Sequence, residues 1–296
     1  ASLALARRIK ARRADLPVLF GGASMHGDMG VAIHERFPEV DVVCTGEADE
    51  IVIDLFGTAI EGGDLSCVPG IVHRLDGASV SNGPTPLVTD LDSLPHPDYD
   101  DWFAQRQAVG LDDGVRSVMI EMSRGCWWGA ISHCTFCGLN GATMSYRSKS
   151  AERALAEIVA LRDRYDAEFV TVADNILDMR YLRTLLPRLA ELERPASLYV
   201  EVRPKLKHHQ VGQLARAGGR SVQPGIESFS DRALDLMGKA TTGLEGIQLL
   251  KWCAEYGLAV DWNYLYGLPG ETADDHRRAA ELVRAARHLP PPRSVS

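Results

Sequence analysis

The stretch Ser123-Arg-Gly-Cys126-Trp-Trp-Gly-Ala-Ile-Ser-His-Cys134-Thr-Phe-Cys137-Gly138 decides how this chain is read. It follows directly on Ser117–Met122, an apolar run that suits a buried strand, and it crowds three cysteines into a dozen residues. Strand candidates recur beyond it at Phe169–Val172, Leu198–Val202, Ser221–Gly225 and Ala259–Tyr264. Between and after them lie helix candidates at Ala151–Tyr165, Met179–Leu192, Lys205–Ala217, Asp231–Met237, Leu244–Tyr256 and Ala273–His288. Five strands separated by helices predict a barrel or open barrel of parallel strands, whose tops gather functional residues on one face. The cysteine loop then stands at the top of the first strand. A sixth strand is expected after the last helix, and the sequence reads as stopping short of it at Ser296.

Upstream, short apolar runs at Pro17–Phe20, Val40–Cys44 and Ile71–Leu75 alternate with helical stretches at Met29–Phe37 and Glu50–Glu61. Strand–helix alternation predicts a parallel, doubly wound sheet. It opens in a helix with no strand before it, so the first part of this domain is expected to be missing. Asp76-Gly77 reads as a hairpin turn. From there to Asp113 the chain is rich in Pro, Gly, Asp and Ser, which predicts a linker. The expected organisation is therefore a first α/β domain over 1–75, a linker over 76–113 and the barrel over 114–296.

Composition narrows the function classes. The 296 residues suit about two domains at roughly 150 residues each. A net charge of −8 speaks against general nucleic-acid binding, and the basic stretches Arg7–Arg13 and Arg203–His209 read as solvated helix faces. No apolar run approaches the ~18 residues of a membrane span, and no signal peptide is visible. A cytoplasmic protein with no membrane partner is expected.

Clustered cysteines in a chain of this kind read as metal ligands. Seven residues separate Cys126 from Cys134, and two separate Cys134 from Cys137. Two donor sets suit that spacing. One is a zinc site completed by His133 or another residue. The other is an iron–sulfur cubane in which three thiolates hold three irons. Its fourth iron then stands open to a bidentate ligand, such as the amino and carboxylate groups of S-adenosylmethionine.

Further features favour the second set. The cysteine loop, with Phe136 directly before its last cysteine, resembles that of the radical SAM superfamily. Its spacing departs from the usual three residues between the first two cysteines. The insert, with Cys134-Thr-Phe-Cys-Gly-Leu-Asn-Gly141, is similar to one subgroup, the RiPP maturation radical SAM protein 1 family. That resemblance implies a partial (β/α)6 barrel carrying a [4Fe–4S] cluster and S-adenosylmethionine, preceded by a doubly wound, Rossmann-like cobalamin-binding domain. It also implies a precursor peptide as substrate and an electron donor such as flavodoxin or ferredoxin. The reaction implied is methylation of an unactivated carbon. Peptide cyclisation or epimerisation without methyl transfer is one alternative, and a non-enzymatic zinc-binding module is another.

Residue by residue, the resemblance assigns Cys126, Cys134 and Cys137 to the cluster. The backbone at Phe136 is expected to meet the adenine. Ser221–Lys239 is similar to the family's fourth-strand segment, which sets Gln223, Gly225 and Glu227 beside ribose and adenine. Tyr199-Val-Glu-Val-Arg-Pro204 ends the third strand, and Glu201 and Arg203 share one of its faces. There they are expected to meet the cofactor's ammonium and carboxylate. Asp174-Asn175 is expected to contact substrate or to cap a turn. In the first domain, Gly21-Gly22-Ala23 and Gly46-Glu47 follow strands at the sheet's C-terminal edge, where doubly wound folds bind ligands. They are the cobalamin candidates. His26 and His34 are present, and neither is assigned as an axial ligand.

Overall fold

The computed structural model describes residues 1–111, 114–138 and 143–296. Leu139, Asn140 and Gly141 of the family-like segment, and Asp112 and Asp113 of the expected linker, lie outside those residues. The chain divides into two compact units, Ala1–Asp90 with Gly138–Thr143, and Leu91–Cys137 with Met144–Ser296.

The first unit runs α1 (Ser2–Arg12), β1 (Leu19–Phe20), α2 (Asp28–Arg36), β2 (Val42–Cys44), α3 (Val52–Glu61), β3 (Ile71–Leu75) and β4 (Ala78–Ser81). Its strands lie in the order β1-β2-β3-β4. The expected parallel sheet needs correction here. β1 and β2 are parallel, but β3 runs antiparallel to β2 and to β4. Only α2 acts as a crossover. Asp76 and Gly77, both at positive φ, make the predicted tight turn, and Leu75 faces Ala78 across it. Val42, Cys44, Ile51, Leu55, Val68 and Ile71 form the core on one face of this sheet. His34 is fully buried, with Nδ1 bonded to Ser79 Oγ at 2.8 Å and Nε2 to the Asp41 carbonyl at 2.9 Å. Both ring nitrogens are thus occupied by the fold.

The segment read as a linker carries structure. β4 belongs to the first sheet, and α4 (Asp100–Ala108) starts the ordered part of the second unit. Tyr99 and Phe103 at α4 pack on Tyr165 with ring centroids 5.8 and 5.1 Å apart. Polar composition concealed both: β4 is held by the adjoining β3 across the tight turn, and α4 by Tyr165, distant in sequence.

The second unit continues with β5 (Ser117–Ile120), β6 (Ser123–Arg124), β7 (Arg147–Ser148), α5 (Ala151–Tyr165) and β8 (Phe169–Val172). Then come α6 (Tyr181–Thr184), α7 (Leu186–Ala190), β9 (Ser197–Val202), α8 (His208–Arg216), β10 (Gly219–Pro224) and α9 (Asp231–Leu236). It ends with α10 (Gly243–Tyr256), β11 (Ala259–Val260), β12 (Asn263–Tyr264), α11 (Ala273–Ala285) and β13 (Ser294–Val295). Among the described residues, β5, β8, β9, β10 and β11 form one parallel sheet in chain order. Two details differ from expectation. The single helix over Met179–Leu192 is two short helices, because Pro187 in the first turn of α7 has no N–H with which to continue the ladder of α6. The sixth strand is begun, since β13 pairs parallel with β12.

Strand alternation sorts the residues. Along β9, Leu198, Val200 and Val202 are buried in the core with Ile158, Leu161, Leu189 and Leu214, while Tyr199 and Glu201 take the opposite face. Helix starts are closed by their own side chains: Ser150 and Ser230 cap α5 and α9, and Thr242 with Glu245 forms a capping box on α10. No helix of the described residues is long and apolar enough to cross a membrane.

One buried carboxyl ties the first two strand tops together. Asp174 accepts the Met122 N–H and the Ser123 hydroxyl, both at 2.7 Å. It is an anchor for the chain entering the cysteine loop, and its substrate role falls away. Burial outweighs these hydrogen bonds and raises its pKa to about 7.

Two outcomes follow from this packing. A Cβ at Gly243 would lie 2.1 Å from the Phe229 carbonyl oxygen, a backbone atom. Gly243→Ala should therefore lower unfolding free energy by about 1–3 kcal/mol in a denaturant titration. The raised Asp174 pKa favours folding while the carboxyl is protonated, so that contribution is full below about pH 4 and is lost as pH rises through about 7. Asp174→Asn should flatten this part of the stability–pH curve, and an unchanged slope between those pH values would refute the assignment.

Candidate metal centre

The cysteine loop is closed at its base by β6 pairing antiparallel with β7. Two glycines let it fold tightly there. Gly125 has φ +81 and approaches Ser145 so closely that a Cβ would lie 2.3 Å from its carbonyl oxygen, while at Gly129 a Cβ would meet Met144 Sδ at 2.7 Å. The far half of the loop rests on the end of α9. Thr135 donates its N–H to the Met237 carbonyl at 3.0 Å and its hydroxyl to the Leu236 carbonyl at 2.9 Å. Trp127 Nε1 donates to the Leu177 carbonyl at 3.1 Å. The insert is thus fastened to the loop above β8, and the last two cysteines to α9.

The three thiols share one electrostatic environment. Burial pushes the Cys134 thiol up, Lys239 counters it, Cys137 and Cys126 push it further up, and Arg203 counters again. The Gly129 N–H donates to Cys126 Sγ at 3.3 Å, the kind of bond that holds a thiolate. Nε1 of Trp128 is a buried donor without a partner. Among the described residues, no three Cys, His, Asp or Glu side chains converge closely enough to enclose a single metal ion. His133 Nε2 is bonded to the Cys137 carbonyl at 3.1 Å. A zinc ion holds its sulfurs at about 2.3 Å from one point and demands such convergence. A cubane gives each thiolate its own iron and leaves the sulfurs spread. Three cysteines, an N–H···S bond, an orphaned donor and two nearby cations fit a thiolate-held iron–sulfur cluster.

The lumen face of the sheet meets this loop. Glu201 and Gln223 are paired across β9 and β10. Tyr199 donates its hydroxyl to Gln223 Oε1 at 2.7 Å. Glu227 follows at φ +60, a left-handed conformation costly for a residue with a side chain, and its carbonyl is held by the Leu265 N–H at 2.8 Å. Burial raises the pKa of both carboxyls, Glu201 further through Glu227, while Lys239 partly offsets the shift of Glu227. Two desolvated carboxyls so close together mark a candidate functional site.

Lys239 is the residue that sequence reasoning left without a role. Its ammonium lies 3.3 Å from Glu227 Oε1 and 5.7 Å from the Phe136 ring centroid. At Gly225, just past the end of β10, a Cβ would lie 2.6 Å from Lys239 Nζ, so the ammonium passes close over this backbone. The Lys239 carbonyl accepts Arg203 Nη2 at 2.6 Å. Arg203 also stacks on Trp128, 3.6 Å from its ring centroid. The Met-Gly-Lys ending of the fourth-strand segment was the available signal, but only the fold turns Lys239 back over Gly225. Cys134, Phe136, Arg203, Gly225 and Glu227 all converge around it, with Glu201 and Gln223 adjacent.

In the first unit the candidate cobalamin residues divide. Gly22 has φ +87 with open space where a Cβ would project. Gly21 and Ala23 flank it at the end of β1. Gly46 faces Thr85, with Oγ1 2.5 Å from its would-be Cβ, and Glu47 Oε2 accepts the Val88 N–H at 2.9 Å. The chain's own 85–88 segment takes up the small-residue gap at Gly46.

Comparison with known proteins agrees with this geometry. The Radical SAM superfamily model matches residues 120–283. An uncharacterised methyltransferase of Pyrococcus horikoshii is 26% identical over 242 residues, covering 80% of this chain and 51% of the relative. The anaerobic magnesium-protoporphyrin IX monomethyl ester cyclase of Rubrivivax gelatinosus is 25% identical over 288 residues, 91% of this chain and 49% of the relative. The chain thus spans about half the length of these relatives. Among solved structures, the radical S-adenosylmethionine methyltransferase TsrM of Kitasatospora setae superposes with a TM-score of 0.75 at 20% identity, over 96% of this chain and 56% of that one. The cobalamin-dependent S-adenosylmethionine radical enzyme OxsB gives 0.72 at 19%, over 94% of this chain and 40% of that one. With a family model spanning more than half of its residues and three cysteines at the top of the first barrel strand, the chain belongs to the radical SAM superfamily.

Proposed function

We propose that this chain is the core of a cobalamin-dependent radical SAM enzyme that methylates an unactivated carbon of a ribosomally made peptide. The observation that carries the reading is the convergence of the cysteine loop on Glu201, Arg203, Gln223 and Glu227 around Lys239. The peptide substrate rests on the family-like insert between Cys126 and Cys134. Methyl transfer is supported by the names of the Pyrococcus and Kitasatospora relatives, and cobalamin by the solved structures of like fold that hold it.

Bound here, the cluster and S-adenosylmethionine would supply hydrogen-atom abstraction and cobalamin would supply the methyl group. The protein's own part is to hold and shield. Cys126, Cys134 and Cys137 hold the cluster. Glu201 and Glu227 receive the cofactor's ammonium and its ribose hydroxyls. Arg203 and Lys239 balance the thiolates and steer the carboxylate. Trp127 and Trp128 exclude water from the loop. Gly22, flanked by Gly21 and Ala23, offers cobalamin an open edge, whereas Gly46 and Glu47 are taken up by the Thr85–Val88 segment. A flavodoxin or ferredoxin supplies the electron.

The relationship to the Rubrivivax cyclase supports a second reading, radical ring closure without methyl transfer. Isotope separates the two. Enzyme reconstituted anaerobically with cobalamin, reductant and methyl-labelled S-adenosylmethionine should add labelled methyl and the mass of one CH₂ to the peptide. Deoxyadenosine formed with no label in the peptide would overturn methylation. Cys134→Ala should retain the fold by circular dichroism and lose cofactor cleavage by at least roughly a thousandfold, since no other group replaces the cluster.

A further inference from the structure

Beside the cysteine loop, and apart from Glu201, Gln223 and Glu227, lies a pocket of about 220 Å³ lined by Trp127, Trp128, Met179, Arg203, Leu206 and neighbouring stems of Lys205 and Ala240. Its size decides what enters. A cavity of roughly 150 Å³ accepts one benzene ring, whereas whole ligands of cofactor size occupy clefts of about 300 Å³ and more. This pocket therefore holds a single side chain and is no subsite for a nucleoside.

Its walls decide the chemistry. Two indoles, the Leu206 side chain and the Met179 thioether present an almost wholly apolar surface. Aromatic rings gain from offset contact with indole and with thioether sulfur. Arg203, already stacked on Trp128 at 3.6 Å, adds a cationic plane against which a second ring packs. An aliphatic side chain would use none of these last three. The charged groups that line the pocket, Arg203 and Lys205, are both cations, and Lys205 is partly balanced by Glu245 at 3.6 Å. The occupant's flanks are then backbone carbonyls or acidic residues, and an amine beside the ring is disfavoured.

We propose that this pocket seats an aromatic side chain of the peptide substrate and so selects peptides that carry one near the modified position. The two tryptophans come from the long insert of the cysteine loop. The insert's length thereby acquires a purpose, since it builds a substrate pocket against the loops after β8 and β9. The inference rests on the peptide-substrate reading above.

The test uses the full chain and fluorine NMR with N-acetyl-para-fluorophenylalaninamide. Its resonance should broaden and shift saturably, with a dissociation constant on the order of 1 mM, as a ligand of this size commands. Unlabelled N-acetylphenylalaninamide should displace it, and N-acetylalaninamide should not. Met179→Trp fills the pocket and should weaken binding about tenfold, while Met179→Leu, which keeps the space and loses only the sulfur contact, should weaken it about two- to threefold. Matching thermal melts exclude misfolding. No saturable binding, or binding indifferent to Met179→Trp, would overturn the proposal. Labelled methyl entering a peptide although the probe fails to bind would sink this inference alone. Probe binding with no modification of any peptide would instead sink the substrate reading and leave an aromatic-binding pocket.

Discussion

Three thiolates on one short loop repel one another, and the top of the second unit is arranged around that cost. Partial burial of Cys134 adds to the penalty, as the upward pressure on its pKa records. Lys239 and Arg203 are the offsetting charges, and each is fixed twice. Lys239 is held by its ion pair with Glu227 and by the Arg203 bond to its carbonyl. Arg203 is held by Trp128 and by the Lys239 carbonyl. A cluster takes over this compensation when it binds, because iron neutralises the thiolates directly. The cations then remain for the anionic groups that approach it.

The same constraint accounts for the strain nearby. Glu227 occupies a left-handed backbone conformation that a side chain normally avoids. The Leu265 N–H, its bridge to Tyr264 and the ion pair with Lys239 hold it there. In return its carboxylate stands beside Gly225 rather than across the strand. Strain is thus retained beside the Lys239 cluster, where the surrounding contacts over-determine it.

Much of this was legible in the residues. The cysteine spacing and the strand alternation that sets Glu201 and Arg203 on one face are local features, and local physics determines them. What escaped the reading was set by partners distant in sequence. The antiparallel entry of β3 depends on pairing with β2. α4 depends on Tyr165, and Asp174 is turned inward by Met122 and Ser123. Lys239 acquires its role only because the turn after α9 returns it to Gly225. The sixth strand was overlooked because Ser294–Val295 is too short to register before its pairing with Asn263–Tyr264 is known. At Gly46 the close approach inferred from a small residue is real, but Thr85 makes it.

The central claim is that three sulfurs leave one iron of a cubane vacant for S-adenosylmethionine to chelate. Electron paramagnetic resonance of the anaerobically reconstituted, reduced protein tests it most directly. The account predicts a [4Fe–4S] signal that changes when S-adenosylmethionine is added and broadens further when the cofactor's carboxylate carries oxygen-17. Protein that takes up zinc but no iron, or a cluster whose signal is indifferent to the cofactor, would contradict it.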